Sequence, residues 1–229
     1  GNCLKEMVTL DRFDLDSRKG KNPGGYNYPL EETGYPFIFM NAAGTVRDVV
    51  TLLHEGGHAV HSILTKDLAL NSFRNFPSEV AELASMSMEL MTMDLWGHYF
   101  TNPEEAKRAK IKHIEDILET LPWVATIDAF QHWVYENPTH SVAQREEKWN
   151  EIVSKFSDTV TDWTGLAEVR SNIWQKQLHL FEVPFYYIEY GIAQLGALAV
   201  WKNSIHDFKG TIEKYKTALA LVHPLLRST

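Results

Sequence analysis

Hydrophobic and polar residues follow two different patterns along this chain of 229 residues. The first 45 residues are interrupted repeatedly by glycine and proline, so they predict loops with short strands at 10–15 and 36–41. After Gly44 the apolar residues recur at helical spacing, which predicts helices at 45–66, 78–98, 103–119, 122–136, 141–157, 168–181, 184–203 and 209–221. A separate helix from Pro122 is predicted because proline suits the first helical position. The pattern predicts one mainly α-helical domain, residues 1–229, with a short β element near its N-terminus.

Composition narrows the classes of protein to consider. The chain has 22 Lys and Arg against 30 Asp and Glu, a net charge of −8. This acidic balance, without a basic cluster, argues against nucleic acid and anionic membranes as main partners. The lone Cys3 excludes an internal disulfide, and no apolar run approaches the roughly 18 residues of a membrane span. We therefore expect a soluble, cytoplasmic protein, whose oligomeric state does not follow from these features.

The most informative stretch is 54–58, which reads His-Glu-Gly-Gly-His. Four residues advance a helix by about 400°, so His54 and His58 lie one turn apart on one face, where both rings can reach one Zn²⁺. Glu55 lies about 100° further round the helix, out of reach as a ligand but placed to act on metal-bound water. Gly56 and Gly57 each cost a helix about 1 kcal/mol, which indicates that something packs close to them. The competing interpretation is a helix with two ordinary histidines and a surface glutamate.

A catalytic zinc takes three protein ligands, so the two histidines need a partner. Position 64 is leucine, which excludes a third histidine six residues after His58. Two glutamates remain, Glu79 at 21 and Glu82 at 24 residues after His58, and the spacing by itself favours Glu79. The small, apolar neighbours of Glu82 favour it, since a carboxylate there needs a metal or a cation, whereas Glu79 suits the positive end of a helix dipole. Glu89 lies seven residues after Glu82 on nearly the same face, and it is placed to orient a ligand histidine.

A second polar group occurs in 179–191, which contains one imidazole and three phenols: His179, Tyr186, Tyr187 and Tyr190. Tyr187 and Tyr190 are three residues apart and share a helical face. From the residues alone, tyrosines in an apolar helix are more typical of a core, with their hydroxyls at its edge.

Three other features are assigned minor roles. His61 lies three residues after His58, and we interpret it as solvent-facing or supporting rather than as a ligand. The aromatic stretch 130–136 is interpreted as packing, and His140, after Asn137-Pro138, as a loop or cap residue.

Several runs, in order along the chain, are similar to oligoendopeptidase F and, more broadly, to the thimet oligopeptidase family of zinc peptidases. The runs are 20–26, 36–41, 53–61 and 82–89, and the resemblance extends from about residue 8 to residue 217. It implies a multi-helix, zincin-like catalytic domain. In that family the glutamate that opens a Glu-x-x-Ser-x-x-x-Glu stretch is the third zinc ligand, and this pattern falls on Glu82, Ser85 and Glu89.

The resemblance also implies a reaction. It predicts hydrolysis of peptide bonds in short oligopeptides, with one Zn²⁺ per chain held by His54, His58 and Glu82, and with Glu55 activating a zinc-bound water. It implies that a histidine and a group of tyrosines donate hydrogen bonds to the substrate and the transition state, and these are His179, Tyr187 and Tyr190, with Tyr186 also a candidate.

The strand at 37–41 is expected to offer an exposed edge along which an extended peptide pairs, with Phe39 and Asn41 in contact with the substrate. The chain departs from the family in length, since family members are typically much longer, and its tail from about Ala218 to Thr229 does not match the expected ending. We therefore expect a fragment of a longer catalytic chain. The alternative function is a zinc-binding helical domain that binds peptides or a partner without turnover.

Overall fold

The computed structural model describes residues 2–221, and most of them are helical. In chain order the helices are α1 (Asn2–Thr9), α2 (Val46–Thr65), α3 (Ser78–Met91), α4 (Pro103–Glu136), α5 (Val142–Phe156), α6 (Ala167–Asn172), α7 (His179–Glu182), α8 (Tyr187–His206) and α9 (Phe208–Leu219). Within the described residues the strands are β1 (Phe13–Asp16), β2 (Tyr26–Tyr28) and β3 (Phe37–Ala42). Short 3₁₀ segments occur at Asn71–Arg74, Met93–His98 and Ile173–Lys176. The predicted fold class, mainly α with a small sheet near the N-terminus, is confirmed.

The described strands form a sheet in the order β1-β3-β2, so β3 is its central strand. β3 runs parallel to β1, with Phe13 opposite Ile38, and antiparallel to β2, with Tyr26 opposite Phe39. Ile38 and Met40 are 2% and 3% exposed and alternate with more exposed neighbours, as expected for a strand that covers a core on one face. β2 is absent from the predicted elements because three residues are too few to show alternation.

The described chain opens with α1, whereas the sequence predicts loops there. Met7 of α1 is 3% exposed and packs with Ile38, Ala59 and Ile63. This tertiary contact stabilises a helix of only eight residues, which is too short to be stable through its own sequence.

The predicted break before Pro122 is wrong, because α4 continues through it as one helix of 34 residues. An internal proline costs roughly 3 kcal/mol through its missing N–H and its ring. Burial of Val124, Ile127 and Phe130, which are 2%, 0% and 1% exposed, offsets that cost. The carbonyl of Pro122 also accepts a hydrogen bond of 2.8 Å from the Thr126 hydroxyl.

Two other predicted helices are shorter than expected. The predicted helix 78–98 ends as α-helix at Met91, and a 3₁₀ segment follows it. The predicted helix 168–181 is divided into α6, a 3₁₀ segment and the four-residue α7. Phe185 then has a φ of 62°, in the left-handed region, so the helix predicted from residue 184 begins only at Tyr187.

The described residues group into two compact units, and the prediction of a single catalytic domain over 1–229 stays a prediction. Of the described residues, the first unit contains 2–110 and 193–221, and the second contains Ile111–Ile192. In the first unit, one core cluster joins α1, α2 and the sheet, and another consists of Ala84, Met91, Tyr215 and Leu219. In the second, the core is largely aromatic and consists of Ile127, Phe130, Trp149, Ile152, Val153 and Trp174. None of the helices in the described part is long and apolar enough to cross a membrane.

Candidate functional site

His54, Glu55 and His58 lie within α2, as the sequence predicts. At the start of this helix the Asp48 carboxylate accepts hydrogen bonds from the backbone N–H groups of Ala43 and Thr45, at 2.9 and 2.7 Å. These bonds satisfy backbone donors that would otherwise have no partner. One helical turn separates the two histidines, and their ring centroids are 4.9 Å apart. The helix therefore presents both imidazoles side by side.

A third residue joins the two histidines. Glu82 of α3 places Oε2 3.3 Å from Nε2 of His54 and 3.8 Å from Nε2 of His58. One ligand atom from each of the three residues lies within 4.8 Å of the others. Ligands of a tetrahedral zinc, each about 2.0–2.1 Å from the metal, are about 3.3 Å apart, so this donor set fits a zinc ion after small side-chain shifts. Glu79, the alternative ligand, lies in the first turn of α3, and the described cluster forms around Glu82.

A neighbouring polar side chain contacts each of Glu82 and His54. Oε1 of Glu89 lies 2.5 Å from Nδ1 of His54, so this carboxylate orients the ring and leaves Nε2 facing Glu82. The Ser85 hydroxyl donates to the Glu82 backbone carbonyl at 2.9 Å and lies 3.2 Å from Oε2 of the same residue. Glu89 therefore lies where its seven-residue spacing from Glu82 predicts, in contact with one of the two histidines.

The charges in this cluster favour a cation between them. Burial lowers the pKa of His54, but its hydrogen bonds to Glu82 and Glu89 outweigh burial and raise that pKa to about 10. Burial, together with the positive charge of His54, lowers the pKa of His58 to about 4. Burial raises the pKa of Glu82, but the hydrogen bond with His54 outweighs it, and the net shift is downward. The carboxylates of Glu82 and Glu89 thus stabilise a positive charge on the His54 ring. A metal ion bound by the cluster would supply positive charge at the same place.

Glu55 is buried, with 6% of its surface exposed. Burial raises the pKa of its carboxyl, and the positive His54 opposes this shift while the negative Glu82 adds to it. The backbone of Asn27, in β2, lies close enough to the same carboxyl to oppose this rise in its pKa. Asn27 is not among the predicted site residues, because its three-residue strand carries no recognisable pattern.

The two glycines of the motif have different surroundings. A Cβ on Gly57 would lie 2.6 Å from Cα of Ser85 and 2.8 Å from the carbonyl oxygen of Ala84, so α2 and α3 touch backbone to backbone there. A Cβ on Gly56 would have no atom within 4 Å. The predicted close packing is therefore confirmed for Gly57 and wrong for Gly56.

We expect Gly57→Ala to destabilise the protein, because no rotamer change can accommodate a Cβ 2.6 Å from a backbone atom. The free energy of unfolding should fall by about 1–3 kcal/mol as α2 and α3 separate. Gly56→Ala is the matched control, and it should gain up to about 1 kcal/mol because alanine favours a helix. Urea denaturation of the two variants measures the difference, and equal stabilities would contradict the backbone contact.

The structure also shows where the residues that were assigned minor roles lie. His61 is 2% exposed and stacks on Phe76, with ring centroids 3.7 Å apart, so a solvent-facing role is wrong. Burial lowers the pKa of His61 to about 4. His140 lies in the loop after α4, with Nδ1 2.5 Å from the carbonyl oxygen of Asn137, as predicted. Phe130 belongs to the aromatic core of the second unit and Val134 packs against it, which confirms packing for this part of the stretch, whereas Tyr135 is 55% exposed.

The predicted imidazole and phenols form a cluster within the second unit. Oη of Tyr190 lies 3.3 Å from Nε2 of His179. The His179 ring also contacts the rings of Tyr186 and Tyr187, with centroids 5.8 and 5.2 Å away. The turn at Phe185 separates α7, which carries the histidine, from α8, which carries two of the tyrosines. The four predicted residues are therefore brought together, and their catalytic role stays a prediction.

The prediction for the central strand needs a correction. β3 pairs with β1 on one side and with β2 on the other, so it does not offer an exposed edge. Nδ2 of Asn41 donates to the carbonyls of Asn22 and Gly24, at 2.8 and 2.9 Å, and so fixes the glycine-rich loop. The Phe39 ring stacks on Tyr26, with centroids 4.8 Å apart. Contact of Phe39 and Asn41 with the substrate stays a prediction.

Comparison with known proteins identifies relatives of this chain. Oligopeptidase PepF of Bacillus subtilis (strain 168) is 26% identical over 224 residues, which cover 93% of this chain and 32% of that protein. An oligoendopeptidase F homolog of Borreliella burgdorferi is 24% identical, over 93% of this chain and 36% of its own length. The solved structure of PZ peptidase A with inhibitor 2 matches with a TM-score of 0.85 and 34% identity, over 97% of this chain and 39% of that chain.

The chain spans about a third of the length of the curated relatives it matches. The resemblance to oligoendopeptidase F is confirmed by these relatives. A family model, described as Peptidase family M3, matches residues 2–221, nearly the whole chain. The protein therefore belongs to peptidase family M3.

Proposed function

We propose that this chain is the zinc-dependent catalytic part of an endopeptidase that hydrolyses short oligopeptides. The observation that carries the proposal is the cluster of His54, His58 and Glu82, with Glu55 beside it on α2. Membership of peptidase family M3 and the oligopeptidase relatives support peptide hydrolysis. The chain spans about a third of the length of those relatives. For the protein that contains it we propose peptidase activity, one zinc ion, oligopeptide substrates and a cytoplasmic location.

The metal ligands would be the three side chains that already face one another, His54, His58 and Glu82. When bound at such a site, a zinc ion polarises the scissile carbonyl and makes water a nucleophile near neutral pH. Glu89 would keep the imidazole of His54 aimed at the site, since its carboxylate lies at Nδ1 of that ring. All four residues are on α2 or α3, so the backbone contact at Gly57 limits how far the ligands can separate.

Glu55 would act first as a general base and then as a general acid. It follows His54 directly, so its side chain projects from α2 about 100° away from the ligand. Burial restricts the motion of this side chain. From this position the carboxylate would take a proton from the attacking water and deliver it to the departing amine.

We further propose that an extended substrate pairs with β2 rather than with β3. β3 is paired on both sides, whereas β2 pairs with β3 alone among the described strands. A peptide that adds to a sheet edge gains main-chain hydrogen bonds there. Because the backbone of Asn27 in β2 lies close enough to the Glu55 carboxyl to lower its pKa, a peptide on this edge would lie next to the proposed base.

The imidazole and phenols of the second unit are proposed to donate hydrogen bonds to the transition state. Replacing Tyr190, which lies 3.3 Å from His179, by phenylalanine should lower kcat by about 10²-fold and change KM less. This split is expected because a donor to developing charge acts mainly in the transition state. Tyr135→Phe, at a tyrosine 55% exposed in the same unit, is the control and should keep the wild-type kcat. A higher KM with an unchanged kcat would contradict this role for Tyr190.

The alternative is a zinc-binding helical domain that binds peptides or a partner without turnover. It is a candidate because the matched part covers 32% and 36% of the two relatives described above, and a part of an enzyme can bind its ligands without turning them over. The two functions share the metal cluster, so zinc binding alone does not separate them.

Metal analysis and peptide cleavage on one preparation test both functions. The chain is freed of metal with a chelator, dialysed, titrated with zinc, and then given a mixed library of quenched peptides. One zinc per chain with cleavage that a chelator abolishes supports the peptidase. One zinc per chain without cleavage supports the alternative, and a failure to bind zinc overturns both.

A further inference from the structure

Tyr215 is a buried tyrosine of α9 that the proposed chemistry does not use. It is 7% exposed, and its hydroxyl donates a hydrogen bond of 2.6 Å to the backbone carbonyl of Ala84 in α3. Burial raises the pKa of the phenol, so it stays a neutral donor. The cluster around it is apolar and includes Met91 and Leu219. Phenylalanine would satisfy that packing equally well, so the hydroxyl serves the bond to Ala84.

The carbonyl of Ala84 lies where α2 and α3 are in backbone contact. It is 2.8 Å from the position that a Cβ on Gly57 would occupy, so α2 is in contact with this turn of α3. Tyr215 therefore ties α9 to the same carbonyl that α2 approaches. The contact joins residues 131 positions apart in the chain, which makes it a tertiary restraint on α3 rather than a local one.

The same turn of α3 carries the proposed third ligand. Glu82 is two residues before Ala84, and the hydroxyl of Ser85, the next residue, donates to the Glu82 backbone carbonyl at 2.9 Å. A shift of this turn would move the Glu82 carboxylate relative to the two histidines, which belong to α2. Zinc tolerates little of such movement, because its ligands must lie within a few tenths of an ångström of about 2.0–2.1 Å.

We propose that Tyr215 is a positioning residue: through its bond to Ala84 it holds the turn that carries Glu82 against α2, and it thereby strengthens zinc binding. The proposal rests on the zinc site proposed above. It assigns to α9, which supplies no ligand to the described cluster, a measurable share of the metal affinity. The two effects must be reciprocal: if the Tyr215–Ala84 contact strengthens zinc binding, then bound zinc must stabilise that contact by the same free energy.

Tyr215→Phe tests the proposal, since it removes the hydroxyl and keeps the ring. Zinc affinity, measured by competition with a chromophoric chelator, should fall by about three- to tenfold, less than the 10- to 100-fold typical of a residue that touches a ligand. The visible spectrum of the cobalt-substituted chain should change as well, because it reports coordination geometry. Ile212→Val is the matched control: it removes one methylene from the same apolar cluster and no hydrogen bond, and should leave affinity and spectrum unchanged.

A second measurement begins with the wild-type chain, where the result does not depend on how a variant folds. Addition of zinc should slow amide hydrogen exchange in Phe208–Leu219, and in Tyr215→Phe this protection should be lost. If Tyr215→Phe matches the wild type in zinc affinity, or zinc leaves exchange in α9 unchanged, the positioning role is overturned while the zinc site stands. If the wild-type chain binds no zinc, the proposed function fails instead.

Discussion

Glu55→Gln is expected to retain zinc and to lower the rate of peptide cleavage by about 10²–10⁴-fold. The amide has nearly the shape of the carboxylate, so the buried side chain and the neighbouring ligands should keep their positions. The variant loses only the group that can accept a proton from water at working pH. The measurement is the cleavage rate of a quenched peptide by wild type and variant at equal zinc content.

Glu79→Gln is the matched control for this experiment. Glu79 lies in the first turn of α3, outside the described metal cluster, so its amide variant should cleave at the wild-type rate. A Glu55→Gln chain with full zinc and wild-type turnover would show that the base is another residue. Loss of zinc from Glu55→Gln would show instead that Glu55 supports the metal ligands.

The part of the site that lies on single helices could be predicted from sequence. A separation of four residues places His54 and His58 one turn apart, and a separation of seven places Glu82 and Glu89 on one face, whatever surrounds the helices. The structure adds that the two faces meet, with Glu82 near both histidines and Glu89 at His54. Spacing alone left Glu79 open as a ligand, because the rotation of α3 relative to α2 is set by packing.

The residues that spacing could not reveal act through tertiary contacts. Asn27 reaches Glu55 from a three-residue strand, and Tyr215 reaches Ala84 across 131 residues of sequence. Gly56 and Gly57 are adjacent and chemically identical, yet only a Cβ on Gly57 would clash with α3. No periodicity distinguishes two such glycines, since the difference lies in which side of α2 faces the neighbouring helix.

The wrong predictions have the same physical origin. The sequence correctly predicts a strand at β3, but it does not show that β1 and β2 both pair with it. Pro122 is a favourable first residue of a helix in isolation, and burial of the residues that follow it keeps α4 continuous. In both cases a local preference is correct for the isolated segment, and the surrounding packing determines the outcome.

Removal of the proposed third ligand should have the largest effect on the metal. We expect Glu82→Ala to weaken zinc binding by more than about 100-fold, because loss of a group that merely orients a ligand already costs about 10- to 100-fold. The two histidines that remain leave a site of two nitrogen donors, one fewer than a catalytic zinc takes from its protein. Zinc stoichiometry after dialysis, together with competition titration, measures the loss.

Two further variants test whether Glu82, rather than Glu79, is the third zinc ligand. Glu82→Asp keeps the charge but withdraws the carboxylate by one carbon–carbon bond, about 1.5 Å, which exceeds the tolerance of a zinc ligand, so its affinity should lie between wild type and Glu82→Ala. Glu79→Ala should bind zinc as the wild type does, because Glu79 lies outside the described cluster. The opposite order, with zinc kept in Glu82→Ala and lost in Glu79→Ala, would move the third ligand one turn toward the start of α3. In that event the 3.3 and 3.8 Å separations at Glu82 would describe an ion pair of the metal-free chain rather than a ligand set.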